Sequence, residues 1–405
     1  MNSQKTLIYI SAILLILSVF LTIFNRIYAF PKAGTDFVDF MTHFYDMKQF
    51  DKKGEIPTTG ARFEMGPLTE EVAPRVPGGF FYIHYLLCYK LAGENIETAR
   101  IFNFITMFIP ALIFLFWIYK RFGFSIVSIL SVLVLFNIYF VYTNNIFYNP
   151  NITLSLSFLF LTLFGEYINN NEENHSLNIP AMMFFPCLAL MGQAHFAVYY
   201  GIVPTVIIYL IIRYKSTLKN IKSLLIGVFL SFLTYLPYLV SEIKNGFPNT
   251  NKMLDFSVNS DLRKVFPFPQ VHSLFMFPTN EFSVMYAANN FKKIMDFYLN
   301  DNPYFIFVLI ILILSIILIL TAFVYCIIKF FKNKEYKFEI DKNDRNLFLI
   351  KELFLLFLLY FPTTIFITII GRGIAGQFRY HYGAFALSFV PMIYFLYNLK
   401  INLKF

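Results

Sequence analysis

The sequence predicts an all-α polytopic membrane protein, with about ten transmembrane helices in a single domain over residues 1–405. Three observations predict it. Hydrophobic residues make up 58% of the chain and charged residues 14%, more apolar surface than a soluble domain could bury, and mean hydropathy is +0.60. Apolar runs long enough to cross a bilayer recur along the whole chain. The basic residues between them fall on alternate connections, as the positive-inside rule requires.

The spanning runs are 6–29, 97–119, 124–145, 150–168, 177–193, 195–213, 220–241, 303–330, 347–370 and 379–399. The first has an uncharged core, Leu7 to Phe24, that is longer than a signal-peptide core and lacks a small-residue cleavage site, so it reads as a retained anchor. Residues 31–79 then hold eight of the chain's 24 carboxylates, a density that hydrocarbon would not admit. They belong to a first extracytoplasmic loop, 31–96, with short amphipathic helices at the interface. Phe80–Leu91 is apolar but too short to span, and is expected to lie along the membrane surface or dip into it.

Lys5, Lys120–Arg121, Arg213 to Lys222, Lys329 to Lys351, and Lys400 with Lys404 then mark the cytoplasmic side. The connection 169–176 falls on that side without a basic residue. Outside lie 31–96, 146–149, the turn Gly192–Ala194, a second large loop at 242–302, and 371–378. The net charge of +9 is accounted for by orientation and anionic lipid, without nucleic-acid binding. Cys88, Cys187 and Cys326 sit in apolar stretches with no CxxC spacing, which implies core packing.

Chemistry-bearing residues collect on the outer side. Asp36, Asp39, His43 and Asp46 share one face of a helix, opposite Phe37, Phe40, Met41 and Phe44. That face reads either as the wet side of a surface helix or as a source of a general base, with Asp36 nearest the membrane. Pro77-Gly78-Gly79-Phe80-Phe81-Tyr82 is a turn leading into an aromatic helix. Asn149-Pro150-Asn151 opens a span, as a cap or as an amide site for a sugar. Gln193 and His195 are polar side chains in an apolar hairpin, and Glu242 marks the outer exit of the seventh span. The segment from Gly371 to Tyr382 carries Arg372, Arg379, Tyr380 and His381; its arginines are the best phosphate ligands in the chain. No spacing demands a metal, and no nucleotide-binding motif is present.

In their order, Thr35-Asp36-Phe37-Val38-Asp39, Pro77-Gly78-Gly79-Phe80-Phe81-Tyr82, Asn149-Pro150-Asn151, Gln193-Ala194-His195-Phe196, Leu236-Pro237-Tyr238 through Gly246-Phe247, and Arg379-Tyr380 resemble the GT-C superfamily of integral membrane glycosyltransferases. The likeness is to the branch of protein O-mannosyltransferases and aminoarabinose transferases. It implies a polyprenyl-phosphate sugar donor, a glycan or glycolipid acceptor, and transfer on the extracytoplasmic face of the cell membrane. It also implies a first-loop acid as base, Asp36 or Asp39, and Arg372 and Arg379 on the donor phosphate. Tyr82, Asn149, Asn151, Gln193, His195, Glu242, Tyr380 and His381 are then the substrate-binding candidates. Some of the superfamily use a divalent cation, for which Asp36, Asp39 and Glu242 are the available ligands. The alternative classes are a transporter or lipid flippase, and a glycan polymerase or ligase. Charge-poor spans with polar groups gathered outside favour an enzyme over a transporter.

Overall fold

The computed structural model describes residues 2–29, 38–63, 73–143, 146–170, 177–259, 273–279, 305–332, 345–370 and 378–402. Among the described residues the protein is all-α apart from one strand pair. The helices are α1 (Asn2–Ala29), α2 (Val38–Lys53), α3 (Phe80–Leu91), α4 (Ile96–Phe122), α5 (Phe124–Leu135), α6 (Ile138–Thr143), α7 (Asn149–Asn170) and α8 (Ile179–Ala194). After a 3₁₀ turn at Phe196–Tyr200 come α9 (Ile202–Ile212), α10 (Tyr214–Lys219), α11 (Ile221–Lys244), α12 (Pro248–Asn259), α13 (Ser273–Thr279), α14 (Phe305–Lys332), α15 (Arg345–Ile370) and α16 (Val390–Asn402). The strands β1 (Thr59–Arg62) and β2 (Arg75–Pro77) pair antiparallel between α2 and α3.

Among the described residues, five helical stretches are long and apolar enough to cross a membrane: Ile96–Phe122, Asn149–Asn170, Ile221–Lys244, Ile313–Lys332 and Arg345–Ile367. The other apolar segments hold shorter apolar helical stretches among the described residues, Tyr9–Phe24 of α1 among them, so the fold is that of a helical membrane protein without ten full-length spans being evident. Two of the shorter ones have identifiable breaks. The run 124–145 is interrupted at Asn137, whose side chain accepts from Tyr139 N (3.1 Å) and donates to Phe277 O (2.5 Å). The last run begins as 3₁₀ helix, at Phe378–Ala384 and Ala386–Phe389, before α16.

α8 lies between α7 and α11, and α4 packs on α7. Close approach is built in by small residues. A side chain at Gly227 would meet the Met182 carbonyl of α8 at 2.9 Å, and one at Gly165 would meet the Trp117 indole of α4 at 2.5 Å.

The helix ends sort into two groups. At one end Arg121 grips Glu166 through Nε (2.7 Å) and Nη2 (2.5 Å), with the Trp117 indole donating to the same carboxylate. Arg213 pairs with Glu352, whose Oε2 also accepts from Tyr209 (2.7 Å). Arg345 reaches the Asn169 carbonyl, and Asn178 bonds Asn220 (3.2 Å). These contacts draw the basic connections, and the end at Asn169 that lacks Lys and Arg, to the same end of the bundle. The opposite end carries α2, the hairpin and α3.

α3 buries one face, with Phe81, Tyr82 and Tyr85 packed against α2, α4 and the hairpin, and leaves Ile83, Leu87 and Leu91 exposed on the other. Two expectations are corrected. The polar face of α2 is turned inward, with His43 and Asp46 buried and Met41 and Tyr45 exposed, because their partners come from outside the helix. The segment 242–302 is not wholly peripheral: Leu274 and Phe277 of α13 are buried in the main apolar core, where seven apolar-rich residues have shape enough to fill space beside Tyr139 and Phe385.

Glu352 and Arg213 are nearly enclosed, so Glu352→Gln removes a buried negative charge that the Arg213 guanidinium grips and is expected to lower stability by about 3 kcal/mol. Thermal unfolding of the detergent-solubilised chain measures this, and an unchanged midpoint refutes the assigned pair.

Candidate functional site

The head of the molecule is organised around Asp46. The hairpin register sets Arg62 directly opposite Arg75, a like-charge pair that is unfavourable by itself. Asp46, from the inner face of α2, accepts from both: Arg62 Nη2 on Oδ1 and Arg75 Nη1 on Oδ2, each at 2.8 Å. Tyr82 of α3 donates its hydroxyl to Oδ2 at 2.9 Å. Burial alone would raise the Asp46 carboxyl, but the hydrogen bond and charge of Arg75, the charge of Arg62 and the Tyr82 hydroxyl hold it below the ordinary carboxylate value.

His43, one turn earlier on the same face, continues the network. Its Nδ1 lies 3.3 Å from the Tyr82 hydroxyl oxygen. That hydroxyl's proton is committed to Asp46, so Nδ1 is the donor and Nε2 carries the lone pair. Nε2 is buried and makes no hydrogen bond among the described residues. Burial pushes the imidazole down to about 3, against the opposing charge of Asp46 and the neighbouring Asn149 side chain. The ring packs against Phe81 (4.8 Å) and Tyr148 (6.0 Å).

Across Tyr148 lies a second charged group. Arg379 bonds the Tyr148 hydroxyl, and its guanidinium sits over the rings of Tyr148 (5.5 Å) and Tyr380 (6.0 Å). Asp39, in the first turn of α2, approaches Arg379 at 3.9 Å, the long limit of an ion pair. Burial raises the Asp39 carboxyl, and the Arg379 charge offsets this only in part. Tyr380 in turn stacks on His195, centroids 5.3 Å apart. The structure therefore brings together Asp39, Arg379, Tyr380 and His195, with Tyr82 and Asn149 behind them around His43. A carboxylate of raised basicity beside a cation and three aromatic rings can take a proton, hold an oxyanion and stack a sugar ring.

The remaining candidates occupy structural positions. Gln193 accepts from Phe80 N (3.3 Å) and donates to Thr234 O (3.0 Å) and Oγ1 (2.9 Å), clamping the start of α3 to α11. It does so against Gly78, at φ +91°, where an added Cβ would fall 2.4 Å from the Gln193 side chain. Asn151 donates to the carbonyls of Thr143 (2.9 Å) and Ile146 (3.1 Å). Glu242 accepts from Asn249 N (3.2 Å), Thr250 N (2.8 Å) and Thr250 Oγ1 (2.6 Å), capping α12. His381 is buried with Nδ1 at 2.8 Å from the Tyr360 hydroxyl. Asp36 and Arg372 lie outside the described residues. No three His, Cys, Asp or Glu side chains gather as metal ligands among the described residues.

Sequence reasoning missed Arg62, Arg75 and Tyr148, and gave Asp46 no role beyond a wet surface. Arg75 stands two residues before the Pro77-Gly78-Gly79 turn, and that nearness is its only signal. In comparison with known proteins, the chain matches no family model, no curated protein and no solved structure.

Two stability measurements follow. Asp46→Asn, which removes the buried negative charge shared by Arg62 and Arg75, is expected to cost about 3 kcal/mol in thermal or denaturant unfolding. His43 is neutral in the fold with its pKa depressed, so its contribution is complete above about pH 6.5 and is lost as pH falls toward about 3. The unfolding free energy should fall across that window by up to roughly 1.4 kcal/mol per pH unit. His43→Gln should flatten that dependence; an equally steep profile in the variant rules out His43 as its source.

Proposed function

We propose that the chain is a membrane glycosyltransferase, moving a sugar from a polyprenyl-phosphate donor to a hydroxyl of a cell-envelope glycan or glycolipid. The observation that carries this reading is the Asp39–Arg379 pair within aromatic walls, at the end of the apolar bundle opposite its basic connections. In this reading the ten apolar segments cross the bilayer, and the positive-inside rule puts the pair on the extracytoplasmic side, where a lipid-linked donor can present its head while its tail stays in hydrocarbon. The resemblance to the GT-C superfamily supports the same reaction.

Among the described residues Asp39 is the acid with a suitable environment, and in this reading it takes the base role for which Asp36 was the first candidate. Its carboxylate accepts the proton of the acceptor hydroxyl. The resulting oxygen bonds to the anomeric carbon, the bond from that carbon to the phosphate oxygen breaks, and polyprenyl phosphate leaves with the electron pair. Arg379 balances the charge on the departing phosphate, and its loose 3.9 Å pairing with Asp39 leaves it able to turn toward that group. Tyr148, Tyr380 and His195 supply flat surfaces for a sugar ring. Arg372 is the second cation expected at the phosphate.

Membranes containing the chain should release polyprenyl phosphate from a labelled polyprenyl-phosphate sugar. Asp39→Asn should reduce turnover by about 100-fold or more, with the protein still folded. The rate should decline as pH falls through the Asp39 pKa. Because Arg379 lowers that pKa, Arg379→Gln should move the acid limb to higher pH as well as weaken turnover. Full activity in Asp39→Asn together with loss in Asp36→Asn would return the base role to Asp36. No release from any polyprenyl-phosphate sugar would sink the reading.

A further inference from the structure

On the other side of Asp46 from His43 opens a cavity of about 440 Å³, within the roughly 300–1,000 Å³ range of small-ligand sites. Asp39, Arg379, Tyr148 and His195 do not line it, so it is separate from the site assigned to transfer. Its walls hold three cations, Lys53, Arg62 and Arg75, against one carboxylate, Asp46.

Two features make the cavity more than a cationic dent. Arg75 is held rigidly: Nη1 bonds Asp46 Oδ2 (2.8 Å) and Gly60 O (3.4 Å), and its own backbone amide is fixed by Asn249 Oδ1 (2.7 Å). The hydrogen bonds to Asp46 and Gly60 both use Nη1 of the guanidinium, and Tyr82 lies beside it, so the five N–H groups leave donors for a ligand, in the fork geometry that suits an oxyanion. The remaining lining is uncharged or aromatic. Gln49 and Thr59 make no side-chain hydrogen bond among the described residues, and Tyr45 is 54% exposed. Lys53, at the end of α2, forms no ion pair among the described residues either. A cation pair, an amide, a hydroxyl and an aromatic face in one cavity match a sugar that carries a charge better than they match a bare ion.

We propose that this cavity binds an anionic saccharide, with its carboxylate or phosphate group on Arg75 and Lys53, its hydroxyls on Gln49 and Thr59, and a ring face against Tyr45. Under the transfer reading the occupant is an acidic residue of the acceptor glycan, and that identification alone rests on the reading. The cavity's affinity for acidic sugar does not, because it is measured with no donor present and no turnover.

The test is equilibrium binding to the full chain in lipid nanodiscs, using trigalacturonic acid, neutral galactotriose, galactose 1-phosphate and inorganic phosphate as probes. The acidic sugars, with carboxylate or with phosphate, should bind about tenfold or more tightly than galactotriose and than inorganic phosphate, with affinity falling as salt rises. Lys53→Ala and Gln49→Ala, both distant from the transfer pair, should each weaken binding about fivefold without lowering the unfolding midpoint. Arg75→Lys should weaken it more, by removing the fork.

Equal affinity for galactotriose and trigalacturonic acid overturns the proposal, as does unchanged binding in both Lys53→Ala and Gln49→Ala. Inorganic phosphate bound as tightly as the sugars reduces the site to an adventitious ion only and also overturns it. So does a wild-type chain that binds none of the probes while Glu64→Gln/Glu70→Gln/Glu71→Gln does, since the cations would then be satisfied by the chain's own acids. A chain that binds acidic sugar yet releases no polyprenyl phosphate keeps this inference and loses the transfer reading; the reverse result does the opposite.

Discussion

One carboxylate decides the shape of the head. The hairpin register sets Arg62 directly opposite Arg75, and two guanidinium groups so placed repel. Asp46 accepts from both, and in doing so it fixes the rotation of α2 about its own axis. The same carboxylate receives the Tyr82 hydroxyl, which fixes α3, and through Tyr82 it fixes the tautomer of His43. Three segments distant in sequence are thus joined at one side chain that is 3% exposed. A buried ion pair of this kind contributes little net stability beside a well-packed apolar alternative, but losing one partner is costly. Its physical role is to choose one arrangement among several.

That choice sets up the Asp39–Arg379 pair at one remove. Asp39 and Asp46 are seven residues apart on α2, so the orientation that buries Asp46 also directs Asp39 inward toward Arg379. The aromatic side chain of Tyr148 then separates the two charged centres, contacting His43 on one side and Arg379 on the other. Two cationic sites result from a single helix face. One has a loosely held arginine that can turn toward a ligand, and the other a tightly held arginine that presents a fixed surface.

The ten apolar segments were legible in the sequence because hydropathy summed over about 20 residues needs no knowledge of neighbours. Each contains helix in the structure. The break at Asn137 was not legible, since it depends on a carbonyl 140 positions away in α13. The two faces of α2 were legible as a pattern, but not which of them meets protein: amphipathic periodicity separates the faces, and Arg62 and Arg75 arrive 16 and 29 positions later with no mark of their partner. Gln193 was legible as a polar group in an apolar hairpin, and Glu242 as the outer exit of its span. Their partners include backbone amides of Phe80, Asn249 and Thr250, and a backbone amide has no signature in sequence. Arg379 stood out as a cation in an outer loop, whereas the rings that surround it came from Tyr148 and its own neighbour.

The attachment of the head to the bundle has a mechanical consequence. Thr234 and Glu242 both belong to α11, the first clamping Gln193 and Phe80, the second capping the helix whose Asn249 holds the Arg75 backbone. Eight residues of helix separate these two latches, about 12 Å along the axis. α11 also presents much of its surface outward, with Leu225, Phe229, Phe232 and Leu236 exposed. A helix gripped at two points and open to its surroundings acts as a lever arm. Tilting it to suit a thicker or thinner bilayer would move both latches together and shift Arg75 relative to α2, so the width of the cationic cavity would follow the lipid in which the protein sits.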